Sequence, residues 1–198
     1  MTIGIIVFLV LGIIFGRLFP ETASLIDTGT AITFCLLFML VIVGINLSFS
    51  KYNLSELKTK AKDVFIIVLG STVGSLIAAC MTGTILGLNT AQAGAIGIGL
   101  GWASFIGVAL SSVSVYLGTV AFLTNSMREL LAIIGMKIYI KKFGKRAAIS
   151  SAGSTAIDTS LGVITRYAGK EYAVTSILCG TILSFMTPFM LSILTPLF

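Results

Sequence analysis

Long apolar segments are the feature of this sequence that most restricts its fold. Five of them, near residues 3–19, 29–47, 64–86, 117–140 and 172–197, have about the 20 residues that an α-helix needs to cross a bilayer core about 30 Å thick. Hydrophobic residues make up 57% of the chain and charged residues 10%, whereas soluble domains are about 25% charged. With a mean hydropathy of +1.09, the chain is expected to be a single all-α integral membrane domain over its full 198 residues.

Two further segments, residues 93–116 and 147–165, do not suit a simple lipid-facing helix. The first holds five glycines, and the second holds seven serines or threonines together with Asp158. Glycine-rich or polar breaks in otherwise apolar chains indicate discontinuous helices, whose unwound backbone offers N–H and C=O groups to a solute. The pair of segments therefore predicts a transporter with its binding site near the breaks.

Basic residues constrain the topology because they collect on the cytoplasmic side of membrane proteins. If residues 93–116 crossed the bilayer completely, the two basic loops would lie on opposite sides. A re-entrant hairpin removes this conflict, and the same reasoning applies to residues 147–165, which precede Arg166 and Lys170. We therefore expect a helical bundle of five full spans and two broken or re-entrant segments, with seven crossings as the alternative. The loops contain Lys51, Lys58, Lys60 and Lys62, and Lys137, Lys141, Lys142, Lys145 and Arg146.

Composition also argues against several other functions. The net charge of +6 comes largely from these loops, so it indicates membrane topology rather than nucleic-acid binding. The sequence contains no histidine, and Cys35, Cys80 and Cys179 lie in apolar segments without CxxC spacing. This pattern favours neither a metal site nor a haem site. Without histidine or an evident Ser–Lys pair, an intramembrane enzyme is not expected either.

Three polar residues lie near the middle of the apolar segment 117–140. Arg128 and Glu129 are adjacent, and Asn125 is one turn earlier on the same face as Glu129. Ionisable groups at this depth are costly and usually mark a solute or proton pathway. Because a proton and a cationic solute compete for the same carboxylate oxygens, Glu129 is a candidate for antiport chemistry. The alternative is that Arg128 and Glu129 form ion pairs that only support packing.

The two broken segments add further candidates for the binding site. Asp158 lies between Thr155 and Thr159 in one of them, and its alternative role is to cap the helix that follows. Trp102 lies in the glycine-rich segment, where it either closes over an ammonium group by cation–π contact or packs as a wedge against the glycines. Ser104 can line a polar path or simply pack helices. Ser154 and Thr155 are binding candidates whose alternative role is to satisfy backbone groups that the break leaves free.

The succession GLGWASFIG, AFLTNSMRELLAI and AGSTAIDTSLGVITRYAGKE closely resembles the lysine exporter family named for LysO. The resemblance implies export of L-lysine and its analogues across the bacterial inner membrane by a multi-pass protein, coupled to protons and without another cofactor. It places the essential glutamate of the family at Glu129 and an aspartate at Asp158. Single-chain members carry further spans before the point where this chain begins, so we expect a small partner membrane protein or a homodimer.

Two other functions stay open at this point. One is an ion-coupled carrier of an anionic organic solute, which Arg128 and helix N-termini would bind. The other is a passive channel or a scaffold subunit. A channel cannot drive a solute uphill on a proton gradient, and an anion carrier is inhibited by a competing anion rather than by lysine.

Overall fold

A computed structural model describes residues 54–197 and, before them, residues 11, 14–18, 34, 38 and 41. The chain divides into two compact units, Met1–Asn46 and Leu47–Phe198. In the first unit every described residue is helical. Apart from these positions, the spans expected near residues 3–19 and 29–47 lie outside the described residues, so the predicted total of five spans stays a prediction.

The second unit is helical and contains no strand among its described residues. Three of its segments are long and apolar enough to cross a membrane, by length and composition. The α-helices are α1 (Leu54–Ile85), α2 (Thr90–Gly97), α3 (Ala103–Ser111), α4 (Val115–Ala152), α5 (Leu161–Ala168) and α6 (Ala173–Leu194), with 3-10 turns at Gly153–Ile157, Lys170–Tyr172 and Thr195–Leu197.

Helix α1 presents a continuous apolar stripe to its surroundings. Its exposed side chains recur every four residues, at Phe65, Leu69, Val73, Ile77 and Met81, which places them on one face of the helix. A soluble protein would bury such a stripe, whereas lipid accommodates it. The helix begins at Leu54, before the apolar segment expected from residue 64. The polar residues that precede this segment are therefore helical as well.

Both expected breaks are present, and the first of them makes a hairpin. Helix α2 folds back along α1: a Cβ atom added at Gly83 would lie 2.2 Å from Cβ of Ala93, and one added at Gly97 would lie 2.5 Å from Cβ of Ala79. Helix α3 then runs antiparallel to the start of α4, since Ser111 packs against Gly118. The hairpin of α2 and α3 therefore enters and leaves at the same end of the bundle.

The second break makes another hairpin, which enters from the opposite end. Helix α4 turns sharply at Gly144 (φ 86°, ψ 168°), and the residues after the turn run back alongside α1. Here Arg146 bonds Asp63 at 2.7 Å, and further along Ser71 Oγ donates to the carbonyl of Ser150 at 2.9 Å. The 3-10 turn Gly153–Ile157 forms the tip, and α5 returns from it.

Basic residues gather at the end where this second hairpin enters. Lys145 Nζ lies 3.1 Å from Glu171 Oε1, and Lys60 Nζ donates to the backbone carbonyl of Glu171 at 2.7 Å. Residues just before α6 therefore lie beside the start of α1 and the turn in α4. Within the described unit each hairpin returns to the end at which it enters, and Lys60 and Lys145, one from each basic stretch, lie beside Glu171 at the same end.

Candidate functional site

The tips of the two hairpins meet in the middle of the unit. The backbone N–H of Ser154 donates to the carbonyl of Leu100 at 2.9 Å. Gly101 has φ +93° and Gly153 has φ +63°, conformations that L side chains rarely adopt. A Cβ atom at Gly153 would lie 2.1 Å from the carbonyl oxygen of Leu100. Glycine at Gly153 is therefore required for the two backbones to cross.

Asn125 holds the first tip in place. Its Oδ1 accepts from the backbone N–H of Gly101 at 2.9 Å, and its Nδ2 donates to the carbonyls of Ile96 at 2.9 Å and Ala121 at 3.0 Å. The side chain is only 2% exposed. Asn125 thus satisfies backbone groups that the break in the helix leaves free, as buried polar groups require.

Arg128 holds the second hairpin against α1. Its guanidinium donates to the hydroxyl of Ser75, to the hydroxyl of Ser71 at 3.1 Å, and to the carbonyls of Ser150 and Ser151 at 3.3 Å. All four acceptors are neutral, and no ion pair with Glu129 forms. Arg128 therefore supports packing through hydrogen bonds to serines, and not through an ion pair with Glu129.

Glu129 is half-buried on α4. Among the described residues it has no hydrogen-bond or ion-pair partner. It lies about 100° around the helix from Arg128, so the two side chains leave α4 in different directions. An ionisable side chain without a described partner in a helix long and apolar enough to cross a membrane is a candidate functional group.

Asp158 and Thr159 lie on the exposed side of the second tip. The Oδ1 atom of Asp158 accepts from the backbone N–H of Thr159. Helix α5 has Ser160 as its N-cap, without a side-chain capping bond. The alternative role of Asp158 as the N-cap of that helix is therefore wrong, and its carboxylate remains accessible.

Two hydroxyls of the second tip are buried but differ in their bonding. The hydroxyl of Thr155 donates to the carbonyl of Ala152 at 2.8 Å and lies 2.9 Å from Oγ of Ser160. The Oγ atom of Ser154 is buried without a hydrogen-bond partner among the described residues. Thr155 therefore has local structural partners, while Ser154 keeps an unused donor at the crossing.

Trp102 is the N-cap of α3, next to the first tip, and Ser104 lies in the first turn of that helix. The ring of Trp102 stacks on Phe105, with 4.7 Å between ring centroids and 24° between ring planes. It is half-buried, and Ser104 is exposed. The structure therefore brings Asn125, Arg128, Ser154 and Thr155 to the crossing, while Ser104, Asp158 and Thr159 lie at its exposed margin.

Sequence reasoning missed the serines of α1 that bind Arg128. Ser71 and Ser75 lie one turn apart, and each directly follows a glycine, Gly70 or Gly74. Small residues at this spacing allow close approach of a neighbouring segment in a membrane protein. That spacing is the signal in the sequence that identifies this face of α1.

Metal-binding side chains do not cluster within residues 54–197 or at the few described positions before them. No group of three or more His, Cys, Asp or Glu residues lies close enough there to hold a metal ion. Cys80 is half-buried and Cys179 is buried, and both are free thiols.

Comparison with known proteins identifies the family. The family model described as lysine exporter LysO matches residues 6–195. The chain belongs to this family. Members of the lysine exporter family are transporters and not enzymes.

Two curated relatives of this LysO-family chain are similar over most of its length. The Escherichia coli (strain K12) lysine exporter LysO is 29% identical over 160 residues, which cover 80% of this chain and 53% of that protein. A Haemophilus influenzae protein named putative lysine exporter is 25% identical over 189 residues, 92% of each chain. The chain thus spans about half the length of the Escherichia coli relative. No solved structure matches it significantly.

Proposed function

We propose that this chain exports L-lysine and lysine analogues from the cytoplasm across the bacterial inner membrane, in exchange for protons. Membership of the LysO family supports the substrate. The observation that carries the mechanism is the half-buried Glu129, which has no hydrogen-bond or ion-pair partner among the described residues. A lysine ammonium and a proton compete for this carboxylate, and such competition is the basis of exchange.

Alternating access in this proposal comes from movement of the hairpin tips against the spanning helices. Among the described residues one backbone hydrogen bond, from Ser154 to Leu100, joins the tips. Asp158 is accessible beside the tips and is a second carboxylate for the cation. Trp102, close to the crossing, offers an aromatic face to an ammonium group.

The experiment is proton-driven lysine efflux from proteoliposomes that contain the purified full chain. Labelled lysine is placed at the same concentration on both sides, a proton gradient that is acidic outside is imposed, and net lysine efflux is measured together with the luminal pH. The wild type is expected to drive lysine against its concentration gradient while protons move the other way. Glu129→Gln, which keeps the shape but loses the charge, is expected to abolish this movement.

Glu171→Gln is the matched control, because Glu171 is exposed at the basic end and pairs with Lys145 rather than with the crossing. We expect it to leave transport near the wild-type rate. Lysine movement that occurs only down its concentration gradient would indicate a channel. Inhibition by organic anions but not by lysine would favour the anion carrier instead.

A small membrane partner or a homodimer is also part of the proposal. The assay therefore compares the chain alone, the chain at increasing protein density, and the chain co-reconstituted with a membrane protein encoded beside it. Transport that appears only with the neighbour supports a two-component exporter. Transport that rises with the square of protein density supports a homodimer.

A further inference from the structure

An open cavity of about 830 Å³ lies between α1 and the two parts of α4 on either side of the turn at Gly144. Its volume is within the range of about 300–1,000 Å³ that is usual for small-molecule sites. Serine hydroxyls and apolar side chains line it, together with one charged group, the guanidinium of Arg128. Glu129 is not among the lining residues, so this cavity presents a single positive charge to a ligand.

The hydrogen bonds of Arg128 leave that charge without a counter-ion among the described residues. A guanidinium has five N–H donors, and the four hydrogen bonds described above all go to hydroxyl or carbonyl oxygens. One donor is unused, and the hydroxyl of Ser75 is a weaker acceptor than an anion. Carboxylates match the fork of a guanidinium with two parallel hydrogen bonds. The cavity therefore suits an organic carboxylate.

We propose that Arg128 binds the α-carboxylate of the transported amino acid in this cavity. The proposal rests on lysine export as the proposed function and adds the group that distinguishes an amino acid from a simple diamine. When the cavity is empty, the Ser71 and Ser75 hydroxyls occupy the Nη donors. When substrate enters, its carboxylate takes the place of the Ser75 hydroxyl and uses the free donor.

Binding in this way also couples substrate to the second hairpin. Arg128 donates to the carbonyls of Ser150 and Ser151 just before the hairpin tip, and its Nη2 would lie 3.3 Å from a Cβ atom added at Gly153. A carboxylate on the guanidinium therefore acts next to the place where the two tips cross. The bound carboxylate and the second hairpin therefore both contact the side chain of Arg128.

The test compares lysine with cadaverine, the same chain of atoms without the carboxylate, in proteoliposomes that contain the full protein. The wild type is expected to prefer lysine about 10- to 100-fold in kcat/KM, the usual effect of losing a hydrogen bond to a charged group. Arg128→Gln is expected to bring this preference close to unity, because lysine transport loses the carboxylate contact in addition to any loss that lysine and cadaverine share. Arg166→Gln, at an exposed arginine on α5, is the matched control and should keep the preference.

Each outcome bears on the proposal. Equal losses for lysine and cadaverine in Arg128→Gln would reduce Arg128 to a structural clamp and overturn the carboxylate site. Should that variant fail to fold, Arg128→Lys keeps the charge but loses the fork. A preference for lysine over cadaverine that is smaller than that of wild type but greater than unity then supports the site. If wild type transports neither compound, the proposed function fails separately, and calorimetric binding of lysine against cadaverine decides the site by itself.

Discussion

The backbone N–H of Ser154 donates a 2.9 Å hydrogen bond to the carbonyl of Leu100. This bond joins the tips of two hairpins that enter the bundle from opposite ends. Neither tip is regular α-helix, so each exposes backbone groups in the interior of a membrane protein, where they must find partners. The crossing is consequently the part of the fold where single substitutions have the most informative effects.

Gly153→Ala is expected to separate the two tips. The added Cβ would lie 2.1 Å from the carbonyl oxygen of Leu100, and φ of +63° at this position is unfavourable for alanine. The backbone strain alone costs about 1–3 kcal/mol. We expect a lower melting temperature in detergent and loss of lysine efflux.

Gly162→Ala, on the same hairpin, is the control for this substitution. A Cβ atom there meets nothing within 4 Å, and alanine favours helix over glycine by about 1 kcal/mol. Its melting temperature should equal or exceed that of wild type. Equal stability of both alanine variants would contradict the crossing of the two backbones.

Asn125→Ala is expected to release the first tip. The substitution leaves the buried N–H of Gly101 without its acceptor, and an unsatisfied buried group costs about 1–3 kcal/mol. Trp102 is next to this tip and is the only tryptophan in the chain, so its fluorescence spectrum should shift. Ser126→Ala, which removes a neighbouring hydroxyl that has no hydrogen-bond partner among the described residues, should change neither fluorescence nor stability.

Thiol accessibility tests the re-entrant arrangement. In a variant with Cys35, Cys80 and Cys179 replaced by serine, single cysteines are introduced at exposed positions. Leu86→Cys and Val113→Cys flank the first hairpin and should react with an impermeant reagent from the same side of the membrane. Reaction of these two cysteines from opposite sides would mean that residues 93–116 cross the bilayer.

A second pair of introduced cysteines tests the other side of the membrane. Lys145→Cys and Lys170→Cys flank the second hairpin at the basic end. Both should react only when the impermeant reagent has access to the cytoplasmic side of the membrane. This result agrees with their shared neighbour, Glu171. Labelling of only one of them in intact cells would contradict a re-entrant second hairpin.

Asp158→Asn is expected to lower lysine efflux at least about 10-fold if the carboxylate binds the cation directly. Its side chain is exposed and only accepts from the backbone N–H of Thr159, so the melting temperature should stay within about 2 °C of wild type. Thr159→Ala is the neighbouring control for local structure. Parallel losses of stability and transport in Asp158→Asn would instead indicate a structural role.

The sequence alone was sufficient for the membrane class and for the two breaks. Hydropathy and charge act residue by residue against the bilayer, so apolar length and the basic loops can be read without knowing any contact. Gly101 and Gly153 likewise mark breaks because glycine adopts backbone conformations that other residues avoid. The central position of Arg128, Glu129 and Asn125 in their span followed from the same local pattern.

Only the tertiary structure decided what these groups do to one another. Asn125 and Arg128 are three positions apart on one helix, yet the first fastens one hairpin and the second fastens the other. Ser75, which bonds Arg128, belongs to a span that reads as apolar. These pairings join residues far apart in the chain, and they depend on which surfaces pack together, a property that no local pattern of hydropathy or charge contains.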